Sequence, residues 1–374
     1  MAYKKKLTDE DIAKMHIETL PTAKLEQALE FFTSLKTYRA KEKLYSTYVT
    51  GAKKALSNTG NDRIYFDYRP EGTITGRLSC GAYKAIKNGK DFPLGLSFHT
   101  LPREKVDSIR ECCISPVGYD FITADFKAME LRVLAHIANE TNMIKAFNSG
   151  ADLHRYTASL IYEKEISKVT DDERQIAKSV SFLVVYGGGA WKLSKTANVS
   201  MEVAERTIAK FQEVYPRVFE WMDEVKNTIT ENKYCTSLFG RRRNLPDVDS
   251  PVQQVRDGCY RQGINFGIQS SASDIVCYGL IDLDRELKYR GLDSYVCGTV
   301  HDSIEVISNK NDTEETLQIM YNKLRNYPLL KSLGFNFKVP LEIEVCIGNN
   351  FAAKTEVKFS NSGSIINREE VLNR

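Results

Sequence analysis

The stretch TDDERQIAKSVSFLVVYGGG, residues 170 to 189, decides the reading of this chain. Thr170 and Glu173 carry a capping-box signature at its start, where each side chain can satisfy a backbone N–H that the first helical turn leaves open. Gly187, Gly188 and Gly189 follow its last apolar residues, and glycine takes the left-handed conformation that commonly closes a helix. The pattern therefore predicts a helix between these signals. On it Arg174, Lys178, Phe182 and Tyr186 recur every four residues and share one face, two cations followed by two aromatic rings. Such a face suits a ligand with a polyphosphate at one end and a base at the other, a nucleoside triphosphate. The same residues would also suit two solvated cations above two core rings. Two acidic motifs elsewhere favour the triphosphate.

The first is Phe121-Ile122-Thr123-Ala124-Asp125-Phe126, a run of strand character. It is followed by a segment that places Leu131, Leu134, Ala135 and Ala138 on one helix face. Asp125 then lies where a strand gives way to a helix. The second runs from Tyr295 to Ile307, two apolar runs folded back at His301-Asp302, which predicts a hairpin with a carboxylate near its tip. Each aspartate alone reads as a turn or strand-end residue. Two brought together would repel and raise one pKa unless cations lay between them. Paired Mg²⁺ ions ~3.5–4 Å apart meet that need for in-line attack at phosphorus.

Taken together these segments resemble the three polymerase motifs of the family A DNA polymerases. Asp125 through Arg132 is similar to the first, Arg174-x3-Lys178-x3-Phe182-x3-Tyr186-Gly187 to the second and Val300-His301-Asp302 to the third, in the right order and separation. Thr75-Gly76-Arg77-Leu78-Ser79, the diverged His99-Thr100-Leu101-Pro102, Asp152-Leu153-His154-Arg155 and Arg261-x3-Asn265-x3-Gln269 resemble further segments of that family. The resemblance covers roughly residues 35 to 352.

The resemblance implies a role for each matched residue. Asp125 and Asp302 bind two Mg²⁺ ions, with the backbone carbonyl of Phe126 as an additional ligand. Asp125, Asp302 and Lys178 carry catalysis. Arg174, Lys178 and His154 hold the triphosphate, where positive charge gains value as charge develops on the leaving pyrophosphate. Phe182 packs on the incoming sugar and base, and Tyr186 lies beside the templating position. Glu130 fills the space of a ribose 2′-hydroxyl, which implies a deoxynucleotide substrate. Phe182, lacking a phenolic hydroxyl, implies discrimination against dideoxynucleotides. Arg77, Arg261, Asn265 and Gln269 touch minor-groove edges, whose acceptors are nearly the same for every correct pair. His301 sits by the primer terminus, and Arg241, in the basic run Arg241-Arg242-Arg243, touches DNA phosphate.

The implied fold is mixed α/β (α+β), a right-hand polymerase fold with an antiparallel-sheet palm, helical fingers and a truncated helical thumb. Residues 1–60 are expected to form a helical thumb remnant, with Phe31, Phe32, Leu35, Tyr38, Leu44, Tyr45 and Tyr48 as its apolar positions. Residues 61–138 and 258–352 are expected to form the palm, 139–257 the fingers, and 353–374 a polar, loosely held tail. Two departures from the family stand out. Ser303 follows Asp302 where a glutamate is usual, with Glu305 nearby, and Leu183 follows Phe182 where a small residue is common. Length leaves no room for the family's full thumb or upstream exonuclease.

Composition agrees with this picture without leading to it. The 374 residues carry a net charge of +3, too balanced to mark a nucleic-acid binder by itself. Lys4-Lys5-Lys6 and Lys84, Lys87 and Lys90 form local basic clusters. Eight cysteines without a C-x-x-C pair speak against structural zinc and for reduced thiols in a cytosolic compartment. No apolar run is long enough to span a membrane. The expected partners are primer–template DNA and dNTPs, with a processivity factor or a separate chain bearing an exonuclease or thumb as further candidates. The expected setting is phage or plasmid DNA replication in a bacterial host cytoplasm. Two alternatives stay open: a related RNA polymerase or reverse transcriptase, and a non-catalytic DNA-binding replisome component.

Overall fold

The computed structural model describes residues 22–87, 90–102, 109–352, 355–360 and 362–372, so Lys4–Lys6 lie outside the described residues. The chain divides into two units, residues 1–67 with 81–97 and residues 68–80 with 98–374.

In the first unit, helix α1 (Thr22–Lys43) runs through a six-residue π segment, Leu44–Val49, into α2 (Thr50–Thr59). Gly60 at φ +67° ends it, a conformation glycine adopts without steric cost. The apolar residues of α1 do not gather on one side. Phe31 and Phe32 are neighbours in sequence and so point about 100° apart on a helix. Of the seven apolar positions expected, only Tyr48 is buried, whereas Phe31, Tyr38 and Tyr45 are each more than 60 % exposed. Strands β1 (Phe66–Arg69) and β2 (Ser79–Ala82) form a small sheet along which the chain leaves and re-enters this unit. Strands β3 (Lys84–Lys87) and β4 (Lys90–Pro93) then form an antiparallel hairpin.

The second unit begins its main sheet with β5 (Tyr119–Phe126), followed by α3 (Met129–Ile137). A helical run comes next: α4 (Thr141–Asn148), α5 (Leu153–Ile161), α6 (Asp171–Val185), α7 (Ala190–Ala197), α8 (Met201–Val214) and α9 (Pro216–Asn232). The short strands β6 (Tyr234–Thr236) and β7 (Arg242–Asn244) precede the 37-residue helix α10 (Gln253–Tyr289). The chain ends through β8 (Ser294–Val300), β9 (Ser303–Asn309), α11 (Thr313–Asn326), α12 (Pro328–Ser332), β10 (Ile343–Gly348), β11 (Thr355–Val357) and α13 (Arg368–Leu372).

The sheet is five-stranded and antiparallel, in the order β11-β10-β5-β9-β8. Strand residues alternate between faces, and register decides what each face carries. Ile122, Ala124 and Phe126 share one face with Ile304, Val306, Val345 and Ile347, all buried. They join one core with Ile268, Ala272 and Ile275 of α10 and Leu317, Met320 and Leu324 of α11. Burying each such side chain stabilises by roughly 1.5–3 kcal/mol, which fixes the register against a one-residue slip. The other face then carries Thr123, Asp125, Ser303, Glu305 and Glu344.

Two expectations need correction. Helix α3 is buried at every position from Met129 to Ala135, including Glu130 and Arg132, beyond the Leu131–Leu134–Ala135–Ala138 stripe. Arg132 is tolerated there because it donates to the carbonyl of Lys127 at 2.8 Å and ion-pairs with Glu342 at 2.8 Å. The tail expected to be loosely held supplies the edge strand β11, with Val357 buried, and α13, with Val371 fully buried. Arg368 in α13 makes a two-pronged ion pair with Glu314, 2.7 Å to each oxygen. A three-residue strand leaves too short an alternation to read among polar neighbours.

Candidate active site

Register brings the two aspartates to one end of the sheet. Asp125 lies one residue from the end of β5 and pairs with Ser303, the first residue of β9. Asp302 occupies the turn between β8 and β9 beside His301, whose φ of +58° bends the backbone sharply. The Phe126 N–H donates to the Asp302 carbonyl at 3.0 Å and locks the turn against β5. Glu344 of β10 pairs with Asp125 from its other side, 3.4 Å from Lys127 Nζ. Sequence spacing gave no hint of Glu344, because only the pairing of β10 with β5 puts it on this face.

Ser303 is 2 % exposed and Glu305 is fully buried, and the Ser303 hydroxyl is hydrogen-bonded to Glu305 Oε1. The Glu305 carboxylate, three residues beyond Asp302, therefore lies beneath the serine, not at the surface with the aspartates. Among the described residues no group of three or more His, Cys, Asp or Glu side chains closes on one metal position. Two carboxylates with a neighbouring backbone carbonyl are still a fitting donor set. These are hard oxygen ligands, and Mg²⁺ binds through one or two carboxylates while keeping water and substrate phosphate as its other ligands.

A second cluster forms around Glu130 in the first turn of α3. Its Oε1 accepts from Arg77 Nη2 at 2.8 Å and its Oε2 from the Tyr186 hydroxyl at 3.0 Å. The same Arg77 nitrogen is 3.7 Å from Asp302 Oδ1, so Arg77 links Glu130 to Asp302. Burial, together with the Glu130 charge, pushes the Tyr186 phenol up to about 12. Arg77 is aimed by the turn before it. Gly76 has a φ of +74°, its carbonyl accepts from Ser273 Oγ at 3.1 Å, and Arg241 lies where a Cβ would stand. Arg241 was expected to present its charge to DNA. It is ion-paired with Asp274 at 2.7 Å and braces this turn with its side chain still 44% exposed, while Arg243 is held by Gln262 and Arg242 stacks on Tyr234 at 3.7 Å.

The α6 stripe forms as its sequence dictates. Thr170 Oγ1 accepts from the Glu173 N–H at 3.2 Å, and Glu173 Oε2 from the Thr170 N–H at 3.0 Å. At the other end Gly188 N–H donates to Leu183 O and Gly187 N–H to Val184 O, the paired bonds of a Schellman close. Arg174 donates through two nitrogens to Asp152 Oδ2, at 2.9 and 2.7 Å. The other Asp152 oxygen caps α5, accepting from the N–H groups of His154 and Arg155. One carboxylate thus ties the start of α5 to the first turn of α6. It is a structural anchor that the Asp-x-His-Arg pattern contained without disclosing its partner. His154 lies 5.9 Å from the Phe182 ring, and its Nδ1 is buried with no hydrogen-bond partner among the described residues. Lys178 makes no ion pair among the described residues.

Burial pushes His154 down to about 4; Asp152 opposes that shift, and the Arg174 and Lys178 charges add to it. An unfolded histidine protonates near 6.5. Between the two values the unfolded chain holds the extra proton, so stability is complete above 6.5 and falls as pH drops toward 4. The melting temperature of His154→Gln should therefore fall less over this window than that of the native chain. Parallel losses would assign His154 an ordinary pKa.

Arg261, Asn265 and Gln269 lie along one face of α10, with Arg261 exposed and the two amides half-buried. Asn265 Oδ1 is buried without a hydrogen-bond partner among the described residues. Arg261 crosses the end of α6, for a Cβ on Gly187, at φ +64°, would stand 2.8 Å from Arg261 Cγ. Gly187→Ala should lose about 1–2 kcal/mol from the left-handed backbone alone and displace Arg261 as well. Urea unfolding measures the first effect, and an unchanged midpoint would remove the need for glycine here. His301 is exposed at its turn, 5.3 Å from His99 ring to ring. His99 bonds the Thr299 carbonyl at 2.9 Å and is depressed by burial and by His301. It opens the His99–Pro102 segment singled out in the sequence, to which no role was given there.

A family model for DNA polymerase family A matches residues 2–353. The chain is 29% identical to DNA polymerase I of Pseudomonas aeruginosa over 326 residues, 87% of this chain and 34% of that protein. It is 31% identical to DNA polymerase I of Treponema pallidum over 314 residues, 84% of this chain and 30% of that protein. Among solved structures it is similar to the POL domain of Pol1 from M. smegmatis in complex with DNA primer-template and dNTP. That match has a TM-score of 0.74 and 28% identity, and covers 86% of this chain and 53% of that one. The chain spans about a third of the length of the curated relatives it matches.

Proposed function

The chain belongs to DNA polymerase family A, and from that membership we propose that it is a DNA-directed DNA polymerase adding deoxynucleotides to a primer 3′ end. One observation carries the reading: a chain of neighbouring side chains leads from Asp302 to the cationic stripe. It runs from Asp302 through Arg77, Glu130 and Tyr186 onto α6, and from Phe182 to His154 beside Arg174 and Lys178. A dNTP laid along it has its phosphates at the cations, its sugar at Glu130 and its α-phosphorus near the aspartates. The sheet is the palm, residues 139–257 the fingers, and the helices before residue 60 the thumb remnant.

In this reading the primer 3′-oxygen forms a bond to the α-phosphorus while the bond to the β-phosphate oxygen breaks. Pyrophosphate leaves with the electron pair, and the hydroxyl proton passes to solvent. Asp125, Asp302 and the Phe126 carbonyl would hold two Mg²⁺ ions, which when bound activate the attacking oxygen and stabilise the leaving one. Lys178 and Arg174 neutralise the charge that grows on pyrophosphate, with Arg174 pre-oriented by Asp152. His154, neutral at pH 7, offers a ring N–H without adding charge to a crowded cationic site. Glu130, fixed by two hydrogen bonds, excludes a 2′-hydroxyl by position. Arg261, Asn265 and Gln269 read the shape of the new pair.

Primer extension with Mg²⁺ tests the proposal, comparing dNTPs with rNTPs. Extension with dNTPs is expected. Its absence at high protein concentration, with DNA still bound, would favour a non-catalytic replisome component.

A further inference from the structure

The first unit contains a groove of about 630 Å³ that none of the polymerase motifs occupies. Tyr65 and Tyr83 flank it, 41% and 43% exposed, with ring centroids 6.3 Å apart, and Phe66 and Phe92 also line it. The two tyrosines are held by one residue. Leu94 N–H donates to the Tyr83 carbonyl at 2.9 Å, and its own carbonyl accepts from the Tyr65 N–H at 3.2 Å. The next residue must be glycine, because a Cβ on Gly95 would stand 1.6 Å from the Tyr65 carbonyl. Asn58 completes the frame by donating its side-chain amide to the Pro93 carbonyl at 2.8 Å. This is a built platform of aromatic rings, not an incidental apolar patch.

The unit that holds it is cationic in composition. The first unit carries fifteen Lys or Arg residues against ten Asp or Glu, a net +5, whereas the whole chain is +3 and the second unit is therefore −2. Lys53, Lys54 and Arg63 are exposed, and Lys84, which follows Tyr83 directly, is ion-paired with Asp91 at 2.7 Å. Open aromatic faces within a positively charged unit fit a polyanion whose bases are free to stack. Duplex DNA hides its base faces, so single-stranded nucleic acid is the matching class.

We infer that the Tyr65–Tyr83 groove binds single-stranded nucleic acid by base stacking, as a site separate from the nucleotide site of the second unit. The inference does not rest on catalysis, so its test uses binding alone.

Full-length chain is mixed with oligothymidylate carrying 5-iodouracil, without Mg²⁺ or dNTPs, irradiated, and the adducts mapped by mass spectrometry. Adducts at Tyr65 or Tyr83 are expected. In a fluorescence-anisotropy titration Tyr65→Ala and Tyr83→Ala should each weaken binding about tenfold, the effect of losing one stacked base. Tyr65→Phe and Tyr83→Phe, which keep the ring, should bind as the native chain does. Circular dichroism and melting temperature check that the alanine variants remain folded. Adducts confined to the second unit, or folded alanine variants with native affinity, would overturn the inference. So would sedimentation in which Tyr83→Ala abolishes a dimer while oligonucleotide binding is unchanged, since the groove would then serve a second copy of the chain.

Discussion

Asp302→Ala and Asp125→Ala should each lower single-turnover primer extension by about 10³-fold or more, while primer–template affinity changes only a few-fold. The size follows from losing several kcal/mol of transition-state stabilisation, at about 1.4 kcal/mol per decade. The two side chains are placed by different devices, strand register for Asp125 and the His301–Asp302 turn for Asp302, and under the proposed function both would hold the same metal ions. Their effects should therefore be similar, and the double variant little worse than either single one. Asp302→Asn keeps the turn's shape and removes only the charge, so it separates catalysis from folding. Either aspartate variant extending at a tenth of the native rate would contradict the assignment.

Glu130→Ala should raise the use of rNTPs relative to dNTPs by about 10²-fold, the range over which one misfitted group discriminates in a site. Glu130 is 6% exposed and clamped by Arg77 and Tyr186, so it cannot swing away from a 2′-hydroxyl. Its removal also frees both partners, and normal extension should slow. An ultraviolet titration follows the same change independently. The Glu130 charge is one of the causes that hold Tyr186 up at about 12, so the phenol should titrate at lower pH in the variant, with burial still acting. Glu130→Gln keeps the bulk and removes the charge. It should preserve sugar discrimination while lowering the Tyr186 pKa. If Glu130→Ala leaves the rNTP to dNTP ratio unchanged, another residue excludes the ribose.

What was legible in the sequence is what local chemistry determines. The caps of α6, its four-residue stripe, the β8–β9 turn and the strand-to-helix position of Asp125 each rest on residues a few positions apart. What stayed hidden depends on partners distant in sequence. Asp152 is visible as a cap for α5, but its second oxygen holding Arg174 is a tertiary fact. Arg241 reads as a free cation until Asp274 and Gly76 come beside it. Glu344 has no motif, and only the register of β10 sets it beside Asp125. Helix α3 shows an apolar stripe and is nevertheless buried at every position from Met129 to Ala135, because Arg132 and Glu130 carry their own counter-charges inside.

The central claim is that this chain copies a template. One primer is annealed to four templates that differ only in the first unpaired base, and each of the four dNTPs is offered singly with Mg²⁺. One-nucleotide extension in the four complementary pairings, with the other twelve slower by about 10²-fold or more, is the expected result. No addition in any pairing, or addition indifferent to the template base, would contradict it.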